Sequence, residues 1–197
     1  MTLLDFDAAE VMRQGSAPAL VTERLVLRAP RREDAQAIAA LANDRRIAEN
    51  TLRIPHPYGL SDAESFIARA SAADGERVFL ITRAGAVLGG CGICERDGEH
   101  PEIGYWLGVP FWGRGYATEA ARALIDHAFG KLGCNRLFAR ARVSNPASRR
   151  VLEKCGFQWT GVGLYRIPAL ASSAPADRFR LDRGLWASLK RWGRGSP

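Results

Sequence analysis

The sequence predicts an α/β (α+β) domain built on a mixed, mostly antiparallel sheet of seven strands flanked by about four helices. Three observations predict it. Residues 78–107 hold three apolar-rich runs separated by short polar or glycine turns, the pattern of an antiparallel meander. The third run enters a glycine-rich turn and then a helix with a single apolar stripe. Beyond that helix, a strand, a helix and two further strands follow, so the order is β-α-α-β-β-β-α-β-α-β-β.

Residues 1–19 read as an extension, with Gly15, Ser16 and Pro18 just before the first strand. Val21 to Arg28 alternates, with Leu25 and Leu27 on one face, and Pro30 ends it. Glu33 and Asp34 suit the positive end of a helix that runs to about Ala42. Pro55, Pro57 and Gly59 interrupt any period between Arg45 and Leu60. Ser61-Asp-Ala-Glu64 has the form of a capping box and starts a second helix to about Ala72. Strands follow at Val78–Thr82 and Val87–Cys94, joined by Ala84-Gly-Ala86, and then at Glu102–Leu107. A helix from about Ala117 to Gly130 places Ala120, Ala121, Leu124, Ile125, Ala128 and Phe129 on one stripe. Arg136–Arg142 alternates as a strand. Pro146 fits the first position of a helix capped by Asn145 and closed by Gly156. Phe157–Tyr165 is a strand, Pro168–Ala176 a loop of small residues, and Arg178–Arg183 the last strand. Residues 20–185 form one domain, and 186–197 a basic tail with Trp186 and Trp192.

A chain of 197 residues suffices for one sizeable core. No apolar run reaches the roughly 18 residues a membrane helix needs, and the N-terminus lacks the basic start and apolar block of a secretory signal. A cytoplasmic protein with no membrane partner is expected. The net charge of +7 is carried by arginine, with lysine only at 131, 154 and 190. The basic residues are dispersed, which fits a solvated surface or an anionic small ligand better than direct nucleic-acid binding. Cys91 and Cys94 have C-x-x-C spacing, but strand positions three apart point to opposite faces, and no second pair completes a metal site. Reduced, buried thiols and no metal are expected.

The turn after the third meander strand carries Gly108, Pro110, Gly113 and Gly115. Glycine keeps Cβ atoms away from the helix mouth, where unpaired N–H groups and the helix dipole favour an anion. Arg114 adds a full charge, so a phosphate or pyrophosphate fits. The turn follows an antiparallel meander instead of a parallel βαβ unit, and it lacks a Gly-Lys-Ser/Thr ending.

Four stretches together are similar to one family. Thr22-Glu-Arg-Leu-Val-Leu-Arg28, Glu102 to Ala120, Asn145-Pro-Ala-Ser-Arg-Arg-Val-Leu-Glu-Lys-Cys-Gly-Phe157 and Asp177-Arg-Phe-Arg-Leu-Asp-Arg183 resemble the GCN5-related N-acetyltransferases (GNAT), in the branch that acetylates the N-terminal amine of ribosomal proteins. The family's turn has Gln or Arg, two residues, Gly, one residue, then Gly or Ala. Gly115 and Ala117 fit it, whereas Trp112 stands at the first position.

The resemblance implies a GNAT fold with two strands splayed at the acetyl-CoA site, 102–107 and 136–142. It implies backbone groups of Leu107, Gly108 and Val109 along the pantetheine arm. Gly113, Arg114, Gly115 and Ala117 would hold the pyrophosphate, with Thr118 beside them and Asn145 both capping its helix and touching CoA. Glu102 is the candidate general base and His100 a weaker alternative. Ser148 is the candidate donor to the departing thiolate, since other branches use a tyrosine in that helix and none lies between Asn145 and Phe157. Tyr105 and Trp106 point to opposite faces and line either the acceptor site or the core. The expected reaction is acetyl transfer to a primary amine, the leading candidate being a protein N-terminus. A small-molecule amine and a non-catalytic CoA- or RNA-binding module are the alternatives, and monomer or homodimer stays open. Arg45, Arg46, Arg53 and His56 against Asp44 and Glu49 disfavour a polycationic acceptor.

Overall fold

The computed structural model describes residues 19–51, 53–71, 77–96, 100–167 and 170–192, with the side chains of 95, 96 and 100 left aside. Short strands β1 (Leu20–Val21) and β2 (Val26–Arg28) lead to a 3-10 turn and helices α1 (Ala35–Ala42), α2 (Arg45–Asn50) and α3 (Leu60–Ser71). The meander is β3 (Arg77–Arg83), β4 (Ala86–Arg96) and β5 (His100–Leu107). Then come α4 (Tyr116–Gly130), β6 (Arg136–Arg142), α5 (Pro146–Lys154), β7 (Gln158–Ile167), β8 (Ser172–Asp182) and α6 (Arg183–Trp192).

One sheet of eight strands runs in the order β1-β2-β3-β4-β5-β6-β8-β7. Every neighbouring pair is antiparallel except β5 and β6. Alternation divides the side chains between two cores. One face carries Leu27, Phe79, Ile103, Leu137 and Phe179 against Leu124, Ile125 and Phe129 of α4 and Leu152 of α5. The other carries Leu80 against Ile38 of α1 and Ala63 and Ile67 of α3.

The eighth strand arises because the predicted strand 21–28 is broken. Thr22 Oγ1 takes the Leu25 N–H at 3.0 Å, turning the chain so that β1 folds back on β2. Two helices were not expected. Asp44 caps α2 by accepting the Arg46 N–H at 2.9 Å, but six residues are too few to show a period. α6 occupies most of the predicted tail, with Trp186 stacked near Phe129 (5.2 Å between centroids) and bonded to Asp126 at 2.8 Å. α3 begins before the predicted capping box, because Asp62 reaches back to the Gly59 N–H at 2.8 Å. The predicted loop 168–176 is strand from Ser172. Pro175 is tolerated there because its backbone faces the β6 side, where its carbonyl takes the Val143 N–H at 3.2 Å. The predicted extension lies outside the described residues, apart from Ala19.

Candidate active site

β5 and β6 pair only at Glu102↔Phe138 and Ile103↔Ala139. Beyond that point β5 continues to Leu107 bonded to β4 alone, and β6 continues to Arg142 bonded to β8. The strands part, and a cavity of about 1260 Å³ opens through the gap. Parity then sorts the chemistry, because side chains at i and i+2 share a face. Ile103, Tyr105 and Leu107 point toward α4 and α5, whereas Glu102 and Trp106 point toward α1 and α3.

On the α4–α5 side the glycine turn meets the cavity. Gly113 (φ 74°) and Gly115 (φ 80°) both adopt the left-handed conformation, which a Cβ would strain. Gly115 precedes α4 without a side-chain cap, leaving the first-turn N–H groups for a ligand. Trp112 donates its indole N–H to the Leu107 carbonyl at 2.7 Å, which fastens the turn to the end of β5. Glu119 holds the turn from behind. It accepts Thr22 Oγ1 at 2.6 Å, the Arg24 N–H at 2.8 Å and Arg24 Nε at 2.7 Å, and Arg24 Nη1 donates to the Arg114 carbonyl at 3.2 Å.

Across the gap, Asn145 caps α5 by accepting the Ser148 N–H at 3.0 Å. Ser148 Oγ lies 2.9 Å from the Tyr105 hydroxyl, which also donates to the Ser148 carbonyl at 3.1 Å. Burial pushes the Tyr105 phenol well above its usual range and outweighs the opposing bond to Ser148, so it stays protonated and can donate.

On the opposite face Glu102 is held by Arg140. Nε of Arg140 lies 3.0 and 2.9 Å from the two carboxylate oxygens, and Nη2 adds a third bond. Both side chains are largely buried, at 13 and 14 % exposure. Burial alone would lower the Arg140 pKa, but the bonds to Glu102 reverse this and raise it. The Tyr165 ring sits 4.4 Å from the guanidinium carbon and fixes its plane.

The residues matching an acetyltransferase (GNAT) domain are 24–158, which span β2 through the start of β7 and include the whole gap. This chain belongs to the GNAT acetyltransferase family. An N-acetyltransferase of Bacillus licheniformis, p20, is 31 % identical over 150 residues, covering 73 % of this chain and 84 % of that protein. The structure of the ribosomal L7/L12 α-N-protein acetyltransferase RimL with coenzyme A matches with a TM-score of 0.73 at 18 % identity, over 83 % of this chain and 97 % of the other. Spermidine N-acetyltransferase of Vibrio cholerae, with CoA and spermine, matches with a TM-score of 0.73 at 22 % identity, over 84 and 99 %. The protein is therefore an acyltransferase, and acetyl-CoA is its acetyl donor.

Of the residues expected to serve this GNAT domain, Glu102, Leu107, Gly113, Gly115, Ala117, Thr118, Asn145 and Ser148 line the cavity. Gly108, Val109 and Arg114 do not form its wall. Both backbone groups of Gly108 are engaged within the fold: its N–H donates to Leu88 at 2.8 Å and its carbonyl accepts Phe111 at 2.9 Å. The Gly108 N–H is therefore taken up by Leu88 and not left over for a ligand. Its place is a tight one instead, where a Cβ would stand 2.7 Å from Leu41. The side chain of His100 lies outside the described residues. Two partners were missed. Arg140 looked like an alternating surface residue, and nothing in the sequence marked Glu102 as its mate. Tyr105 on β5 brings its hydroxyl beside Ser148, and its parity with Ile103 and Leu107 was the available signal. Burial raises the Cys91 thiol to about 12 and the Cys155 thiol to about 11. Among the described residues no helix is long and apolar enough to cross a membrane.

Proposed function

We propose that this enzyme acetylates the α-amine of a protein N-terminus by direct attack on acetyl-CoA. The observation that carries the reading is the parted β5–β6 edge, with Glu102 on one face and the Ser148–Tyr105 pair on the other. The donor's pyrophosphate rests on the turn at Gly113, Gly115, Ala117 and Thr118, with Arg114 at the rim. Its pantetheine arm runs past Leu107 and Val109 and alongside Asn145, whose capping of α5 places Ser148. The thioester then lies in the gap.

The acceptor arrives as an ammonium ion from the α1–α3 side. Glu102 attracts it and takes a proton, directly or through one water. The free amine attacks the carbonyl carbon, and backbone N–H groups at the open edge of β5 receive the developing oxyanion. As the C–S bond breaks, Ser148 gives its hydroxyl proton to the sulfur and regains one from Tyr105, which is reprotonated through solvent by the second proton that the acylated nitrogen sheds. The products are the amide, CoA as a thiol and one released proton. Arg140 holds the Glu102 carboxylate in place, and Glu102 passes the proton it has taken to solvent before the next turnover.

A protein terminus is preferred over a polyamine because the acceptor side carries Arg53, Arg69, Arg140 and Arg142 against Asp62 and Glu102. A polycation would be repelled there. The test is thiol release from acetyl-CoA over a panel of N-terminal peptides and small amines. Turnover should favour peptides over spermidine and fall at least tenfold in Glu102→Gln and in Ser148→Ala. CoA binding with no turnover on any amine would sink the reading, and unchanged rates in both variants would remove the two assigned roles.

A further inference from the structure

The acceptor wall contains a cation that acetyl transfer does not use. Arg140 and Arg142 share one face of β6, two residues and so roughly 7 Å apart. Arg140 is committed to Glu102. Arg142 donates from Nη1 to the carbonyl of Glu49, near the C-terminal end of α2. Its Nε–H is buried and has no partner among the described residues. Arg142 lines the cavity, and no carboxylate among the described residues pairs with it, so its guanidinium stands in the wall as a cation without a counter-ion. Neither carboxylate lining this cavity is available to it: Glu102 belongs to Arg140, and Asp62 accepts the Gly59 N–H at 2.8 Å. Arg53, also in the wall, adds to the positive field. The phosphates of CoA belong elsewhere, since the α4 turn opens on the other face of the sheet.

We propose that the amine acceptor carries a carboxylate within two residues, roughly 7 Å, of its reacting nitrogen, and that Arg142 binds that carboxylate. The ammonium meets Glu102 while the carboxylate meets Arg142, so the alternating register of β6 orients a zwitterionic acceptor across the gap. The same chemistry is offered by a free amino acid and by a peptide with an acidic second residue. This inference rests on the acetyl-transfer reading above and narrows its substrate.

The test is kcat/KM at saturating acetyl-CoA for two matched pairs: L-alanine against L-alaninamide, and Ala-Asp-Ala-Ala against Ala-Asn-Ala-Ala. The expected result is a preference of at least fivefold for the carboxylate in one pair or both, expressed in KM, and the pair that shows it identifies the source. Arg142→Gln should bring the ratio to near one, and Arg142→Lys, which keeps a charge without the planar fork, should leave it in between. Ratios below fivefold in both pairs overturn the inference, as does a preference that survives Arg142→Gln. If Arg142→Gln does not fold, the wild-type ratio and a drop of at least threefold in Arg142→Lys decide. Absence of transfer to every acceptor refutes the acetyl-transfer reading itself, whereas transfer without carboxylate preference refutes the Arg142 assignment alone.

Discussion

Replacing Tyr105 with Phe separates chemistry from packing. The ring stays, so the packing of β5 against α5 is kept, and only the hydroxyl is lost. That hydroxyl makes bonds of 2.9 and 3.1 Å to Ser148. Two neutral hydrogen bonds are worth about 1–2 kcal/mol net. For a chain of this size that lowers Tm by about 3–6 °C and leaves the enzyme folded at 25 °C. A positioned proton donor contributes about 10²-fold or more to rate, or about 2.7 kcal/mol in the transition state. The rate effect therefore exceeds anything the stability loss can produce at 25 °C. Thiol release under saturating acetyl-CoA should fall about 10²-fold in kcat with little change in KM for the acceptor. Because Tyr105 acts through Ser148, Tyr105→Phe should cost less than threefold further in a Ser148→Ala background. A kcat within twofold of wild type, together with the lowered Tm, would refute the relay and leave Tyr105 a packing residue.

Three further outcomes follow from the same contacts. Gly115→Ala should raise KM for acetyl-CoA several-fold and cost about 1 kcal/mol, because φ is 80° and the new Cβ would lie 3.3 Å from Arg24 Nη2; isothermal titration with CoA and thermal melting measure the two effects. Burial raises Cys91 to about 12, so the folded state keeps a proton that the unfolded chain sheds from about pH 8.5 upward. Stability from this group is complete below that pH and declines above it, and Cys91→Ala should flatten the alkaline limb of a urea-unfolding series by up to about 1.4 kcal/mol per pH unit. Asp34 behaves oppositely. Burial would raise its pKa, but two 2.7 Å bonds from Arg28 and one of 2.8 Å from the Arg31 N–H lower it on balance. Its stabilisation is complete above about pH 4 and lost as pH falls through the depressed value, so Asp34→Asn should weaken the protein at pH 7 by about 1–3 kcal/mol and remove that acid-dependent component.

Much of this molecule was set by local chemistry that a linear reading can follow. The alternation of Arg136–Arg142, the apolar stripe of α4, the Asn145–Pro146 start of α5 and the glycines at 113 and 115 are consequences of neighbours a few residues apart, and each stands as an element in the structure. Those elements also carried the family resemblance, and with it the acyl-transfer chemistry and its donor. What escaped depends on residues distant in the chain. Glu102 was legible as a strand carboxylate, but its bond to Arg140 spans 38 positions and exists only because β5 and β6 run parallel for two pairs and then part. Tyr105 reached Ser148 across 43 positions for the same reason. The turn at Thr22–Leu25 was hidden inside a good strand pattern, because side-chain bonds to Leu25 and Glu119 outweigh propensity there. Periodicity determines which face a side chain takes. Only the closing of the sheet decides which side chains from other strands and helices it meets on that face.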